Sequence, residues 1–171
     1  PRPLQYAYYA RWQRRASQEA SREAQLEYWR DQLAGAPDRM ALPTDRPRPA
    51  TPSPAGAALP IEIPAALAQP LRELARRTEA TLFMVLLAAW KALLARLSGE
   101  TDIVVGTPIA GRTRRELEGL IGFFVNTVAL RSRVSAEMTF RQLVSAVRQT
   151  ALDAYAHQDV PFERLVEALR P

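Results

Sequence analysis

Apolar residues recur three or four positions apart in five stretches of the chain, and this spacing predicts α-helices. The stretches are residues 4–34 with a break near Ser17, which can cap the second half, 64–77, 82–97, 140–155 and 161–169. Thr81 and Thr139 favour the starts of two of these helices, and Gly35 favours the end of the first stretch. Pro70 lies inside the second stretch, so that helix is expected to begin at Pro64 or at a later residue.

Three shorter stretches predict β-strands. Residues 59–63 alternate between apolar and polar side chains, and Pro60 favours an edge position or a strand start. Residues 102–107 are rich in β-branched side chains, and residues 123–134 form the longest predicted strand, which has the apolar character of a buried one. Six prolines between residues 36 and 56 exclude regular structure and predict a segment that crosses the surface of a single domain.

The composition is that of a globular chain. With 171 residues, 47% of them hydrophobic and 24% charged, it has enough material for one domain or for half of a larger one. The absence of cysteine excludes disulfides and cysteine-based metal sites and is compatible with a cytoplasmic protein. The longest apolar run, residues 82–90, is too short to cross a bilayer, so no membrane association is expected. The chain starts with Pro1 rather than Met and has no visible targeting segment, which indicates a piece of a longer polypeptide.

The net charge of +5 and the pI near 10.2 raise the question of an acidic partner. The positive charge is almost all arginine, with Lys91 as the only lysine, and it is interleaved with glutamate and aspartate along the predicted helices. This arrangement is typical of solvated helix faces. No recognition-helix spacing and no aromatic–basic pattern accompanies the charge, so nucleic-acid binding is the weakest of the functional alternatives.

Several kinds of catalytic site are absent from the sequence. Gly106 and Gly111 do not form a glycine-rich phosphate loop, and no residues have the spacing of zinc ligands. No serine lies in a nucleophile-elbow context, and His157 is the only histidine. We therefore assign no catalytic residue and no metal site within the chain.

Two strings contain polar residues that simple amphipathic patterning does not explain: residues 121–127, Ile-Gly-Phe-Phe-Val-Asn-Thr, and residues 157–163, His-Gln-Asp-Val-Pro-Phe-Glu. Both resemble motifs of the condensation domains of nonribosomal peptide synthetases at every fixed position. Residues 6–12, Tyr-Ala-Tyr-Tyr-Ala-Arg-Trp, are similar to a third motif of that family, in which an aspartate stands at the position of Tyr8. The His-His-x-x-x-Asp-Gly motif of the family is not present among these residues, which contain one histidine.

The resemblance implies an α/β fold, namely a two-layer sandwich of the chloramphenicol-acetyltransferase-like type with a mixed sheet and packed helices. It implies that residues 1–171 are a partial condensation domain, most of its C-terminal lobe, with residues 36–56 as the proline-rich crossing segment. The His-His motif would then belong to the N-terminal lobe of the same polypeptide. An isolated lobe is expected to expose apolar strand residues and to aggregate.

The resemblance also implies a role for each motif. Asn126 would lie beside the active site, where a neutral amide can orient a substrate carbonyl; the alternative is a core strand in which this amide is hydrogen-bonded to neighbours. The other residues of that motif would line the substrate tunnel: Gly122, Phe123, Phe124, Val125 and Thr127. The second motif would be architectural, with Asp159 or His157 capping the last helix and Phe162 anchoring it. Its members are His157, Gln158, Asp159, Pro161, Phe162 and Glu163.

Three arginines, Arg112, Arg114 and Arg115, form a basic cluster near the predicted tunnel strand. They could contact an acidic carrier protein or the phosphate of its phosphopantetheine arm. The alternative is a solvated loop whose charge is balanced by Glu116 and Glu118.

The activity implied by the resemblance is amide bond formation between two thioesters carried on the phosphopantetheine arms of peptidyl carrier domains. No cofactor would bind the chain directly, and the expected partners are the N-terminal lobe, the carrier domains and an adjacent adenylation domain. Without the other lobe, the chain is expected to be inactive. The alternative is a noncatalytic condensation-like docking module, which the substitution at Tyr8 leaves open.

Overall fold

The computed structural model describes residues 4–47, 49–51 and 53–169, with the backbone alone described at 16–18. Its elements are α1 (Tyr6–Gln13), α2 (Ala16–Leu33), α3 (Ala65–Arg77), α4 (Leu82–Ser98), β1 (Asp102–Ile109), a 3-10 turn (Arg115–Leu117), β2 (Asn126–Arg133), α5 (Phe140–Ala156) and α6 (Phe162–Leu169). The chain forms two compact units. Unit 1 contains Pro1–Asp38, Val104–Arg131 and Gln149–Pro171, and unit 2 contains Arg39–Ile103 and Ser132–Arg148.

Unit 1 is built around the buried middle of β2 and one face of α2. Leu26 and Trp29 of α2 are buried, as is Leu130 of β2. The guanidinium of Arg131 donates to the carbonyl oxygens of Gln32 (3.0 Å) and of the residue after α2, Ala34 (2.8 Å). A cation at this helix end satisfies carbonyl groups that have no partner within the helix, and it thereby attaches α2 to the strand.

The predicted break within the first helical stretch is confirmed, but its cap is not. α1 ends at Gln13 and α2 begins at Ala16 with Arg15 in the N-cap position. Ser17 therefore lies inside the first turn of α2 and not before it.

Unit 2 contains α3 and α4, which pack against each other. Thr81 caps α4 as predicted: its hydroxyl accepts from the Met84 N–H at 3.2 Å, while the Met84 sulfur lies 3.4 Å from the Thr81 nitrogen. The helix ends where Gly99 takes a left-handed conformation with φ of 74°, which a glycine adopts without steric cost.

Lys91, in the middle of α4, is completely buried, and its Nζ donates to the Ser132 hydroxyl at 2.7 Å. Burial lowers the pKa of Lys91 to about 7, and the carboxylate of Asp102 opposes part of that shift.

α3 begins directly after Pro64, and Pro70 lies inside the helix. Of the two starts that the sequence allowed, the one at Pro64 is confirmed, and Pro70 does not delay the helix. A proline here removes only the hydrogen bond to the carbonyl of Ala66, and because Ala66 is exposed, water can satisfy that oxygen.

α5 begins as predicted after Thr139, which exchanges hydrogen bonds with Gln142. The Thr139 N–H donates to Gln142 Oε1 at 2.8 Å, and the Gln142 N–H donates to the Thr139 hydroxyl at 3.3 Å. Leu143, Val144 and Val147 are buried, whereas Phe140 is exposed.

The sheet of the described residues consists of β1 and β2. The pairing is antiparallel: Gly106 lies opposite Thr127, and the Val134 N–H donates to the Thr101 carbonyl at 2.7 Å. This sheet is smaller than the mixed sheet that was expected.

Two strand predictions need correction. The second strand starts at Asn126 rather than at residue 123, and it equals β1 in length, so it is not the longest. Residues 59–63 form no strand, because no described residue hydrogen-bonds to their backbone. A strand exists only with a pairing partner, and a local pattern does not supply one.

No single described helix has both the length and the apolarity needed to cross a membrane. Helices α3 and α4 reach those limits only when taken together, and they are bent by 107° relative to each other. One face of α4 is buried within unit 2, and this burial accounts for much of its apolar composition.

Candidate active-site cleft

A cleft of about 360 Å³ opens in unit 1, at the place where the three motifs of the sequence meet. It is lined by Tyr6, Tyr9, Gln13, Gly111, Thr113, Phe123, Phe124, Val125, Asn126, Thr127, Gln158, Asp159, Pro161, Phe162 and Glu163. The structure thus brings together nearly all the predicted tunnel residues and most of the second motif. Of the predicted site residues in the two motifs, Gly122 and His157 do not line the cleft.

The Asn126 side chain joins the first motif to the second. Its Nδ2 donates to the carbonyl oxygens of Gln158 (2.9 Å) and Val160 (2.8 Å). Its Oδ1 accepts from the backbone N–H groups of Thr127 (2.9 Å) and Phe162 (3.1 Å). All the ordinary hydrogen-bonding capacity of the amide is therefore used by backbone groups. Asn126 lines the cleft, but its amide orients the protein chain.

One of these bonds caps the last helix. Phe162 is the first residue of α6, and its N–H has no partner within the helix, so the Asn126 oxygen takes that position. The two residues that were expected to cap α6 have other partners. The Asp159 carboxylate accepts from Gln25 Nε2 at 3.1 Å, and His157 Nδ1 lies 2.7 Å from the Asp153 carbonyl. The prediction that Asp159 or His157 caps α6 is therefore wrong.

His157 is held on several sides. Because the Asp153 carbonyl can only accept, Nδ1 carries the proton of that hydrogen bond. The imidazole stacks on the Tyr28 ring with centroids 3.8 Å apart and an angle of 9°. The His157 carbonyl accepts from the buried Trp29 indole at 2.8 Å. These contacts fix the position of the His157 ring and backbone within unit 1.

Residues 121–125 run along the cleft as an irregular segment, so the expectation of a buried strand fails here. Ile121, Phe123 and Val125 are exposed, with Phe123 at 76%. Phe124 is buried and contacts the rings of Tyr6 and Tyr9, with centroids 5.2 and 4.9 Å away. Phe123 and Val125 are thus exposed at the cleft, while Phe124 anchors the segment.

Tyr6 fixes the same segment from α1. Its hydroxyl donates to the Phe123 carbonyl at 2.9 Å, and its ring lies so close to Gly122 that a Cβ there would be 2.4 Å from a ring carbon. Tyr8, at the position of the family's aspartate, is exposed and has no side-chain hydrogen bond to any described residue. In the third motif, Tyr6 and Tyr9 therefore contact the cleft segment, and Tyr8 does not.

Gly111 lines the cleft from the loop that follows β1. Its φ is +63°, and a Cβ at this position would lie 1.9 Å from the Phe124 carbonyl oxygen. Both the conformation and the space therefore require glycine.

The three arginines of the predicted carrier-facing cluster have different environments. The Arg112 guanidinium donates to the Leu117 carbonyl and lies 4.2 Å from the centroid of the Phe124 ring, so it stabilises the loop. Arg114 is exposed and lies over the Trp12 ring at 4.5 Å. Arg115 is exposed and has no side-chain partner among the described residues. Only Arg114 and Arg115 present their charge to solvent.

Two tyrosines next to the motifs remain protonated over a wide pH range. Burial, followed by the charge of Asp159, raises the pKa of the cleft residue Tyr9. Burial also raises the pKa of Tyr28, which stacks on His157, to about 12. The Tyr9 hydroxyl is thus a neutral donor at the edge of the cleft.

Sequence reasoning missed several residues that shape the site. Gln25 exchanges hydrogen bonds with Asp159 from α2, and Tyr28 and Trp29 hold His157 from the same helix. No local pattern identifies these contacts, since they join residues more than 120 positions apart. Gly111 had a usable signal, because a lone glycine between a strand and an arginine-rich loop often marks a turn with positive φ.

Comparison with known proteins agrees with this geometry. The family model named Condensation domain matches residues 1–171. A linear gramicidin synthase of Brevibacillus parabrevis is 56% identical over 167 residues, which are 98% of this chain and 2% of that protein. The solved complex of the X-domain and OxyB from teicoplanin biosynthesis contains a similar chain, with a TM-score of 0.90 and 33% identity, over 98% of this chain and 38% of that one.

The first condensation domain of the CDA synthetase gives a TM-score of 0.72 with 27% identity, over 90% of this chain and 35% of that one. The chain therefore spans little more than a third of these solved chains and a few per cent of the long gramicidin synthase. These similarities confirm the expected α/β fold of the chloramphenicol-acetyltransferase-like type. The chain belongs to the condensation domain family of nonribosomal peptide synthetases.

Proposed function

We propose that residues 1–171 are the C-terminal-lobe part of a condensation domain and that the cleft is one wall of the channel in which an amide bond forms. The convergence of the three motifs carries this proposal. Asn126 links the first motif to the second, and Tyr6 attaches the third motif to the first. The motif residues thus act together in shaping one surface.

In the proposed reaction, the amine nitrogen of an acceptor aminoacyl thioester attacks the carbonyl carbon of a donor thioester. The C–N bond forms, the C–S bond breaks, the thiolate of the donor's phosphopantetheine arm leaves, and the proton lost by the amine is taken up by a base. Both substrates arrive covalently attached to carrier domains, and the product stays on the arm of the acceptor carrier, so this chain binds no cofactor directly.

The base belongs to another part of the domain. The only histidine of these residues, His157, donates its Nδ1 proton to a carbonyl and stacks on Tyr28. We therefore propose that a histidine of the His-His-x-x-x-Asp-Gly motif acts as base or as a positioning group, and that the 171-residue chain is inactive without it. The chain contributes the exposed side chains of Phe123 and Val125 as an apolar wall, and the Asn126 amide holds the two motifs that form this wall together.

The proposed partners are the N-terminal lobe of the same polypeptide, two peptidyl carrier domains and an adjacent adenylation domain. Arg114 and Arg115 are exposed cations near the cleft, and they would attract an acidic carrier or its arm phosphate. Arg112 is engaged with the loop that carries it, so its part would be to hold that loop. The cytoplasmic location stays a prediction from composition.

The test is amide formation by the intact condensation domain of the parent synthetase with an aminoacylated donor and acceptor carrier. Val125→Ala shortens an exposed side chain in the cleft (47%), and Val166→Ala shortens an equally exposed one on α6 outside it (42%). We expect Val125→Ala to lower kcat/KM by about 3–10-fold, which is less than the roughly 10–200-fold effect of a methylene in an enclosed hydrophobic pocket because this side chain is half exposed. Val166→Ala should leave kcat/KM unchanged. Equal effects of the two substitutions, or product formed by the 171-residue chain alone, would contradict the proposal.

A docking module is the second candidate. One observation favours it: the solved chain with a TM-score of 0.90 comes from a complex of the X-domain with OxyB, so a similar fold occurs bound to another protein. The exposed Tyr8 in place of aspartate is compatible with that role. An intact parent domain that forms no amide product but binds a protein of its own pathway with a measurable Kd would favour this candidate.

A further inference from the structure

Residues 59–63, in unit 2, have the composition of a strand but no partner. Leu59 and Ile61 are among the most exposed apolar residues described, at 84% and 81%, and Ile63 is exposed at 44%. No described residue exchanges a backbone hydrogen bond with this segment, and none of its residues has a positive φ. The segment is thus available for pairing with a strand that is not among the described residues.

The positions of the prolines leave one edge of this segment able to pair. In a β-strand, the N–H and C=O of each residue point to the same side, and successive residues point to opposite sides. On the side to which Leu59, Ile61 and Ile63 point their backbone groups, all three residues have an N–H that can donate. The other side contains Pro60 and is followed by Pro64, so Glu62 is its only donor within the segment.

The two faces of the segment differ as well. In a strand the side chains of Leu59, Ile61 and Ile63 lie on one face, and those of Pro60 and Glu62 lie on the other. An edge with complete donors, an apolar face and a polar face are the features of a strand that is added to the edge of an existing sheet.

We propose that residues 59–63 form an edge strand that pairs, through the backbone of Leu59, Ile61 and Ile63, with a sheet strand in the remaining part of the parent condensation domain. This rests on the proposed function. The relative lengths of the chains indicate where the partner strand lies. This chain covers 35–39% of solved condensation domains that match it over 90–95% of its own length. The rest of such a domain is large enough to hold the partner strand in the same polypeptide.

The experiment is residue-resolved hydrogen exchange on the intact parent domain and on the 171-residue chain. We expect the amides of Leu59, Ile61 and Ile63 to exchange at least about 100-fold more slowly in the intact domain, since paired amides exchange only through opening. The Glu62 amide should exchange at similar rates in both. Equal exchange of the three odd-numbered amides in the two proteins, or slowing at Glu62 instead, would overturn the proposal.

Matched substitutions separate the backbone from the side chain. Ile61→Pro removes a donor from the pairing edge, and Glu62→Pro removes the donor from the opposite edge. In the intact domain, Ile61→Pro should abolish protection at Leu59 and Ile63, whereas Glu62→Pro and Ile61→Ala should keep it. Protected amides in α4 would confirm that each variant folds. Retained protection in Ile61→Pro would overturn the assignment of the edge.

Two outcomes distinguish this inference from the proposed function. An intact domain that forms amide product while residues 59–63 exchange freely would refute the strand and leave the function standing. A domain with the three amides protected but no amide product would refute the function and support the strand. If the 171-residue chain dimerises and protects the same amides, a second copy is the occupant and the inference fails.

Discussion

Asn126→Ala tests the idea that one amide holds the two motifs together. The substitution removes bonds to Gln158, Val160 and Phe162, with lengths between 2.8 and 3.1 Å, and leaves two carbonyls and one helix N–H without this partner. Each such bond contributes about 0.5–1.5 kcal/mol net. Because the site borders an open cleft and water can replace part of the loss, we expect a destabilisation of about 2–4 kcal/mol.

The assay is thermal unfolding followed by circular dichroism, together with amide exchange. A loss of this size in a chain of this length lowers Tm by about 5–15 °C. Exchange at Phe162 should accelerate, while exchange in α4, which belongs to unit 2, should change less. Asn126→Asp keeps both acceptors but places a carboxylate oxygen against two carbonyl oxygens, so it should lose at least as much stability as Asn126→Ala.

The matched control is Gln149→Ala, because Gln149 makes a single exposed hydrogen bond to Asp153 at 2.8 Å. We expect this variant to stay within about 0.5 kcal/mol of the unsubstituted chain. An Asn126→Ala variant with unchanged Tm and unchanged exchange at Phe162 would refute the view that this amide is a structural link.

Three further predictions concern other parts of the chain. Gly111→Ala should destabilise by about 3 kcal/mol or more in chemical denaturation, because φ is +63° and the new Cβ would meet the Phe124 carbonyl; Gly119→Ala, with open space around it, should be tolerated, and equal effects would contradict this account. Burial holds the pKa of Lys91 near 7, below its unfolded value, so stability should rise with pH from about 7 towards 10, by at most about 5 kcal/mol. Lys91→Met should remove that rise, and an unchanged slope in denaturation curves across this range would refute it. Arg115→Glu should weaken carrier binding to the intact domain by about 3–10-fold at low salt and less at high salt, as measured by titration calorimetry, and a salt-independent effect would exclude an electrostatic contact.

The helices were largely predictable from the sequence because their signals are local. Thr81 and Thr139 lie within one turn of the helix starts that they set, and the structure confirms both starts. The failure at residues 59–63 has the opposite cause. Alternation describes what a strand would bury, but formation of the strand depends on a partner elsewhere.

The sequence predicted which residues lie at the candidate site better than it predicted what those residues contact. Resemblance to family motifs identified Asn126, Phe123 and the residues around Pro161, and the structure places them around one cleft. The resemblance could not reveal that the Asn126 amide is hydrogen-bonded to backbone groups 32 to 36 positions away, because those contacts exist only after folding. The arginine cluster shows the same limit, since equal charges in sequence have unequal exposure in space.

The burial of the chain's only lysine makes Lys91 a chemical probe of local opening. A reagent that acylates primary amines can modify the Lys91 side chain only when unit 2 opens, because the ammonium group is enclosed beside Ser132. No other lysine competes for the reagent. The rate at which mass is added at Lys91 therefore reports how often this part of the protein opens.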